Sequence, residues 1–104
     1  MRLLVHTTRK SGASHGFRAI AQERMRRVLH PFETRVQAAE LVIADANGDK
    51  GGADDKVCRL KVELTGARAP LVVASRADNL SGALSGVLRR IRRALSDRRV
   101  THSL

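Results

Sequence analysis

The sequence predicts a single α+β domain with the element order β-α-β-β-β-α, in which both helices pack on one face of a four-stranded sheet. Two observations predict this class. In two segments apolar residues recur at three- and four-residue steps, which is typical of amphipathic helices. Four shorter segments are rich in Val, Leu, Ile and Thr, which favour strands. The chain of 104 residues is long enough for one modest core but not for two.

The N-terminal part of the chain predicts the first strand and the first helix. Residues 2–8 form a short β-branched and aliphatic run, which indicates a strand. After a turn, Ser14 is a suitable cap for a helix over residues 16–30, which Pro31 ends. The predicted apolar stripe of this helix consists of Phe17, Ile20, Ala21, Met25 and Val28. Arg24 lies at the edge of the stripe, where its aliphatic stem can cover apolar surface.

Three further strands are predicted at residues 36–44, 56–65 and 71–75. The first of these is rich in apolar residues, and which of its faces is buried stays ambiguous. The second alternates between apolar and charged residues. Its apolar face carries Cys58, Leu60, Val62 and Leu64.

The connection over residues 45–55 begins like a calcium-binding loop, because Asp45, Asn47 and Asp49 alternate. The sixth and twelfth positions of such a loop call for Gly and Glu. These positions are Lys50 and Lys56 in this chain. Two cations at these positions oppose calcium binding, so we interpret the segment as a hairpin loop without a metal.

The last predicted helix covers residues 78–99, with Asp78 as its cap and a loose tail from Val100 to Leu104. Its apolar stripe consists of Leu80, Leu84, Val87, Leu88, Ile91 and Leu95. At about 100° per residue, this stripe occupies roughly a third of the helix circumference. The remaining surface carries Arg89, Arg90, Arg92 and Arg93. The helix therefore has one face for the sheet and one cationic face.

The overall charge is strongly positive, with 20 Lys and Arg residues against 10 Asp and Glu residues and a net charge of +10. Sixteen of these cations are Arg, whose planar guanidinium favours phosphate. Of the four arginines named in the last helix, only Arg93 has an acidic residue, Asp97, four positions away, and unpaired like charges cost stability. We therefore predict a nucleic-acid partner. The candidate RNA-binding residues are Arg18, Arg26, Arg27, Arg89, Arg90, Arg92 and Arg93.

Several other binding classes are disfavoured by the composition. The chain has no Trp or Tyr and only two Phe residues, which disfavours recognition of single-stranded RNA by aromatic stacking. A membrane-binding helix is disfavoured because the apolar stripe is needed for the sheet and lacks aromatic anchors. The N-terminus lacks an apolar run long enough for a signal peptide or a membrane span, so we expect a cytoplasmic protein.

Catalysis and metal binding are also disfavoured. The histidines, His6, His15, His30 and His102, are scattered and lack the spacing of a triad or a metal site. Cys58 is the only cysteine, which excludes an internal disulfide, and its place on an apolar face indicates a core residue. We therefore expect no catalytic residue, metal, cofactor or small-molecule substrate. A small ribonuclease that uses one of the histidines is the alternative enzyme hypothesis.

Two local patterns accompany the predicted element order. The segment at 77–80 reads ADNL and precedes small residues and a basic amphipathic helix, and the first helix ends in Pro31-Phe32 before a new strand. In these features the chain from 2 to 99 resembles the short form of the ribosome hibernation-promoting factor and ribosome-associated inhibitor family.

This resemblance implies a fold similar to that of double-stranded-RNA-binding domains, as a single ribosome-binding domain over residues 1–99. It implies binding to the rRNA of the small ribosomal subunit, in the channel that mRNA and tRNA use, so that translation is blocked under stress. The expected mechanism is steric exclusion, with affinity from Arg–phosphate contacts and counterion release. Off the ribosome we expect a monomer. A stand-alone module for another structured RNA is the alternative.

Overall fold

The structure, a computed structural model, describes residues 1–8, 13–45 and 56–102, with side chains described through residue 97 in the last helix. Its strands are β1 (Arg2–Thr7), β2 (Val36–Asp45), β3 (Lys56–Leu64) and β4 (Leu71–Ala77). Its helices are α1 (His15–Leu29) and α2 (Leu80–His102), with a 3₁₀ turn, His30–Phe32, after α1. The predicted order β-α-β-β-β-α is confirmed. Most of the calcium-like pattern, from residue 46 to residue 55, lies outside the described residues.

The strands form one mixed sheet in the order β1-β2-β3-β4. β1 is parallel to β2, whereas β2 and β3, and β3 and β4, pair antiparallel. A parallel pair needs a crossover connection, which α1 supplies. β4 therefore runs in the same direction as β2. β1 and β4 are therefore parallel, and each is followed by a helix that leads the chain back across the sheet. As a result α1 and α2 run in the same direction.

Both helices pack on one face of the sheet, and the core lies between them and the strands. The buried residues of the helices are Ala21, Met25 and Leu29 in α1, and Ala83, Leu84, Val87, Leu88, Ile91 and Leu95 in α2. The predicted apolar face of β3 is buried as expected. The other face of the sheet is open, and Leu4 and Val72 on it are 47% and 46% exposed.

A bulge in β2 decides which of its residues are buried. Val36 lies opposite Leu64 and Ala38 lies opposite Glu63, so Gln37 is an extra residue in the strand. Before the bulge the buried residue has an even number, and after it the buried residues have odd numbers. The buried residues of the strand are Val36, Ala39, Leu41 and Ile43. This shift explains why simple alternation left the buried face of β2 ambiguous.

The start of α1 confirms the predicted cap, but one member of its predicted stripe is wrong. The Ser14 hydroxyl oxygen accepts a hydrogen bond from the Phe17 backbone N–H at 3.0 Å. Ile20 is 56% exposed, because the buried face follows positions four residues apart through Ala21 and Met25. At about 100° per residue, Ile20 points away from that line.

Asn79, not Asp78, caps α2. The side-chain oxygen of Asn79 accepts a hydrogen bond from the backbone N–H of Gly82 at 2.7 Å. Asp78 Oδ1 in turn accepts from Asn79 Nδ2 at 2.8 Å, which orients the capping amide. The helix continues to His102, beyond its predicted end at Arg99. The first three residues assigned to a tail are therefore helical, and the last two lie outside the described residues.

The middle of α2 lies very close to the edge strand β4. A Cβ added to Gly86 would lie 2.1 Å from Ser75 Oγ and 3.0 Å from Ser75 Cβ. No side chain fits in that space, so glycine lets the helix rest directly on the strand.

Candidate nucleic-acid interface

α1 and α2 lie side by side and are joined by a contact between their polar side chains. Arg24 Nη2 of α1 donates a hydrogen bond to Ser85 Oγ of α2 at 3.2 Å, and the contact is partly buried. The solvent-facing side chains of residues 15–29 and 80–97 therefore form one continuous area on the covered side of the sheet. We call this area the helical surface.

The candidate arginines of α2 are all exposed on the helical surface: Arg89, Arg90, Arg92 and Arg93. Arg89, Arg90 and Arg92 form no ion pair with a carboxylate of the described residues. Asp97 lies four residues after Arg93, one turn further along the same helix. Cations without counter-charges repel one another and attract anions. This part of the surface is suited to a polyanion.

The candidate arginines of α1 are also exposed, but they do not converge. Arg26 Nη2 donates to Glu23 Oε2 at 2.8 Å, so one carboxylate already compensates its charge. Both residues line a depression against β1, on the side of α1 away from α2. Arg27 lies three residues after Arg24 and therefore towards α2. Arg18 is exposed in the first turns of the helix.

Two contacts of this surface were not predicted from the sequence. The pairing of Arg26 with Glu23 follows a three-residue spacing that the sequence already displays. The contact of Arg24 with Ser85 joins residues on different helices, and no local pattern indicates it. The position of Arg24 in the sequence predicts that its aliphatic stem covers apolar surface, and in the structure its guanidinium also has a polar partner, Ser85.

The described histidines lie on different elements or at opposite ends of one helix. His6 is on the open face of the sheet, with Nε2 2.9 Å from Glu40 Oε2, and Lys61 Nζ lies 3.6 Å from the other oxygen of Glu40. His15 and His30 are at opposite ends of α1, about 22 Å apart along its axis at about 1.5 Å per residue. Among the described side chains, no hydrogen bond or ion pair joins two histidines.

The remaining chemical groups give no sign of another site. In the described part of the chain, no three His, Cys, Asp or Glu side chains are grouped as they are around a metal ion. Burial raises the pKa of the Cys58 thiol to about 11, so the thiol is protonated at neutral pH. The described helices include none that is both long and apolar enough to cross a membrane.

Comparison with known proteins finds other structures with the same fold. No protein-family model and no curated protein sequence matches the chain. A ribosomal subunit interface protein from Coxiella burnetii has a similar structure, with a TM-score of 0.76 and 14% identity over 96% of this chain and 99% of that one. The chain has the fold of a ribosomal subunit interface protein. The N-terminal domain of Protein Y from Thermus thermophilus is also similar, with a TM-score of 0.67 and 14% identity over 90% of this chain and 94% of that one.

Two solved structures thus share the α+β arrangement that the sequence predicts, and the fold implied by the family resemblance is confirmed. Because the identity is 14% in both cases, the likeness establishes the fold alone. What each chain binds is decided by the side chains on its surface.

Proposed function

We propose that the chain is a member of the ribosome hibernation-promoting factor family. In this proposal it binds the rRNA of the small ribosomal subunit in the channel that mRNA and tRNA use, and blocks translation under stress. One observation carries the proposal: the candidate arginines of α2 are exposed on a fold that a ribosomal subunit interface protein also has, and Arg89, Arg90 and Arg92 form no ion pair with a carboxylate of the described residues.

The chemistry of the helical surface supports binding to RNA by charge and shape. Guanidinium groups donate two parallel hydrogen bonds to a phosphate, and such contacts position a protein without reading the base sequence. Double-stranded RNA is recognised mostly by its shape, its phosphates and its 2′-hydroxyl groups. The chain lacks the aromatic platforms that single-stranded RNA would need.

The proposed mechanism is occupancy. A domain held in the channel by several Arg–phosphate contacts excludes mRNA and tRNA sterically, and it needs neither a catalytic residue nor a cofactor. On this proposal the protein is not an enzyme, acts in the cytoplasm as a monomer when off the ribosome, and carries the activity within residues 1–99.

Sedimentation of the protein with ribosomes and isolated subunits, over a salt series, tests the proposal. We expect stoichiometric binding to small subunits that weakens with salt and that mRNA and tRNA compete away. Each phosphate contact contributes about 0.9 to the slope of log affinity against log salt concentration. Equal binding to any RNA duplex would favour the stand-alone module, and no binding at low salt would contradict both hypotheses.

A pair of charge reversals locates the contact. Arg89→Glu with Arg93→Glu is expected to abolish binding to small subunits while the circular dichroism spectrum stays that of the folded protein. Arg59→Glu with Arg76→Glu is the matched control, because both of these arginines are exposed on the open sheet face and the change in charge is identical. If the folded α2 variant binds as well as wild type, the assignment of the interface to α2 is wrong.

A further inference from the structure

The boundary between the two helices contains a cation that the candidate set lacks. Arg24 is half-buried, and its guanidinium reaches across from α1 to α2 to donate a hydrogen bond to Ser85 Oγ at 3.2 Å. Arg24 lies beside Met25, which is buried in the core, and one turn before Val28, which packs against the core. A lysine or arginine whose role is solubility would extend into solvent, so the placement of Arg24 needs another reason.

The donor groups of Arg24 are mostly unused. A guanidinium has five N–H donors and no acceptor, and one donor of Arg24 is used by Ser85. No carboxylate of the described residues forms an ion pair with it. No side-chain nitrogen of Arg24 is both fully buried and without a hydrogen-bond partner; among the described side chains only a nitrogen of Arg35 is. The unused donors of Arg24 therefore reach solvent. Arg24 is therefore a fixed cation with open donors.

Ser85 does more than accept one hydrogen bond. By holding the guanidinium, it restricts the side chain before any ligand arrives, and pre-organisation of this kind lowers the entropy that binding costs. Its own hydroxyl hydrogen is not used in the contact with Arg24, because the oxygen is the acceptor there. The pair thus offers N–H and O–H donors at one point between the helices.

Further cations continue along the same boundary. The helices run in the same direction, so residues that follow Arg24 and Ser85 lie next to one another. At about 1.5 Å per residue, Arg27 lies about 4.5 Å beyond Arg24, and Arg89 and Arg92 lie about 6 and 10.5 Å beyond Ser85. Arg92 follows Ser85 by seven residues and so faces nearly the same way. A row of cations therefore leads from the contact between the helices onto the arginine cluster of α2.

We propose that Arg24 is a phosphate-binding residue, positioned by Ser85, and that its ligand is a backbone phosphate of folded RNA that lies along the boundary between α1 and α2. This inference rests on the proposed function for the identity of the RNA, but its chemistry applies to any RNA helix. Arg24 binds the phosphate with its free donors, Ser85 fixes the guanidinium, and Arg27, Arg89 and Arg92 contact neighbouring phosphates.

The test uses the full chain, small ribosomal subunits and a short RNA duplex, with affinities measured over a salt series. Arg24→Gln is expected to weaken binding to both RNAs by roughly tenfold, since it removes charge-assisted hydrogen bonds. It should also lower the slope of log affinity against log salt concentration by about 1. Arg24→Lys should keep the slope but lose affinity, because an ammonium cannot form the planar fork. Ser85→Ala should weaken binding severalfold with an unchanged slope.

Arg68→Gln is the matched control, because Arg68 is exposed in the connection between β3 and β4, outside both helices, and the substitution removes the same charge. Thermal unfolding of every variant separates a binding role from a structural one. If Arg24→Gln lowers only the melting temperature and leaves the salt slope of wild type, Arg24 merely joins the helices and the proposal is wrong. A wild-type protein that binds no duplex at low salt also overturns it.

The two proposals fail in different ways. If the duplex is bound with the expected dependence on Arg24 but small subunits are not, the ribosomal function is wrong and the phosphate-binding role stands. If small subunits are bound equally by wild type, Arg24→Gln and Arg24→Lys, the ribosomal function stands and the role of Arg24 is refuted.

Discussion

Replacing Gly86 by Ala measures how closely α2 rests on β4. In an unobstructed helix interior, Gly→Ala stabilises by about 1 kcal/mol. At Gly86 the added Cβ would lie 2.1 Å from Ser75 Oγ and 3.0 Å from Ser75 Cβ. Rotation of the hydroxyl relieves the first contact but not the second, so the helix must move away from the strand. Overpacking of this kind costs about 1–3 kcal/mol.

We therefore expect Gly86→Ala to lower the free energy of unfolding by about 1 kcal/mol after the helix gain is offset, and the melting temperature by roughly 4–8 °C. Urea and thermal unfolding followed by circular dichroism measure both. Gly16→Ala is the control, because the nearest atom to its added Cβ is 3.8 Å away and the substitution should stabilise α1. Ser75→Gly should restore part of the loss in the Gly86→Ala background. If Gly86→Ala stabilises the protein as Gly16→Ala does, the close approach is refuted.

Two further substitutions test the helix cap and the core thiol. Asn79→Ala is expected to lower the free energy of unfolding in urea by about 1 kcal/mol, because it removes the cap of α2. Asp78→Ala should lower it by less. If Asp78→Ala lowers it more than Asn79→Ala does, Asp78 is the cap. Burial raises the pKa of Cys58 from 9.0 to about 11. A thiol reagent at pH 8 should therefore modify the unfolded protein but not the folded protein. Rapid reaction of the folded protein would contradict the burial of Cys58 in the core. Since the folded state holds that proton to higher pH than the unfolded state, the contribution of Cys58 to stability should fall between pH 9 and 11, and Cys58→Ala should lack this fall.

The elements of the fold could be predicted because hydrophobic periodicity is a local signal. The stripe of α2 and the alternation of β3 correspond to buried faces in the structure. The buried face of β2 could not be predicted, because the bulge at Gln37 changes the phase of the alternation and depends on the pairing with β3. The prediction of Asp78 as the cap was wrong, because Asp and Asn both cap helices well and the two residues are adjacent, so residue type alone does not distinguish them.

The candidate site was predictable only in part. Exposure of the α2 arginines followed from their position opposite the apolar stripe, and the structure places them in solvent. The contact between Arg24 and Ser85 was not predictable, because it depends on how the two helices dock. Whether the arginines bind RNA stays a prediction that the binding experiments test.

The mixed pairing of the sheet also sets an order of assembly. β3 and β4 are joined by the short connection 65–70, with Val62 opposite Leu71, so their pairing closes a short loop. β1 pairs in parallel with β2, with Leu3 opposite Ala39, so this pairing closes a long loop that contains the whole of α1. Closing a longer loop costs more chain entropy and slows folding. We therefore predict that the hairpin of β3 and β4 forms early in folding, and that β1, the first strand in the sequence, joins the sheet late, together with α1.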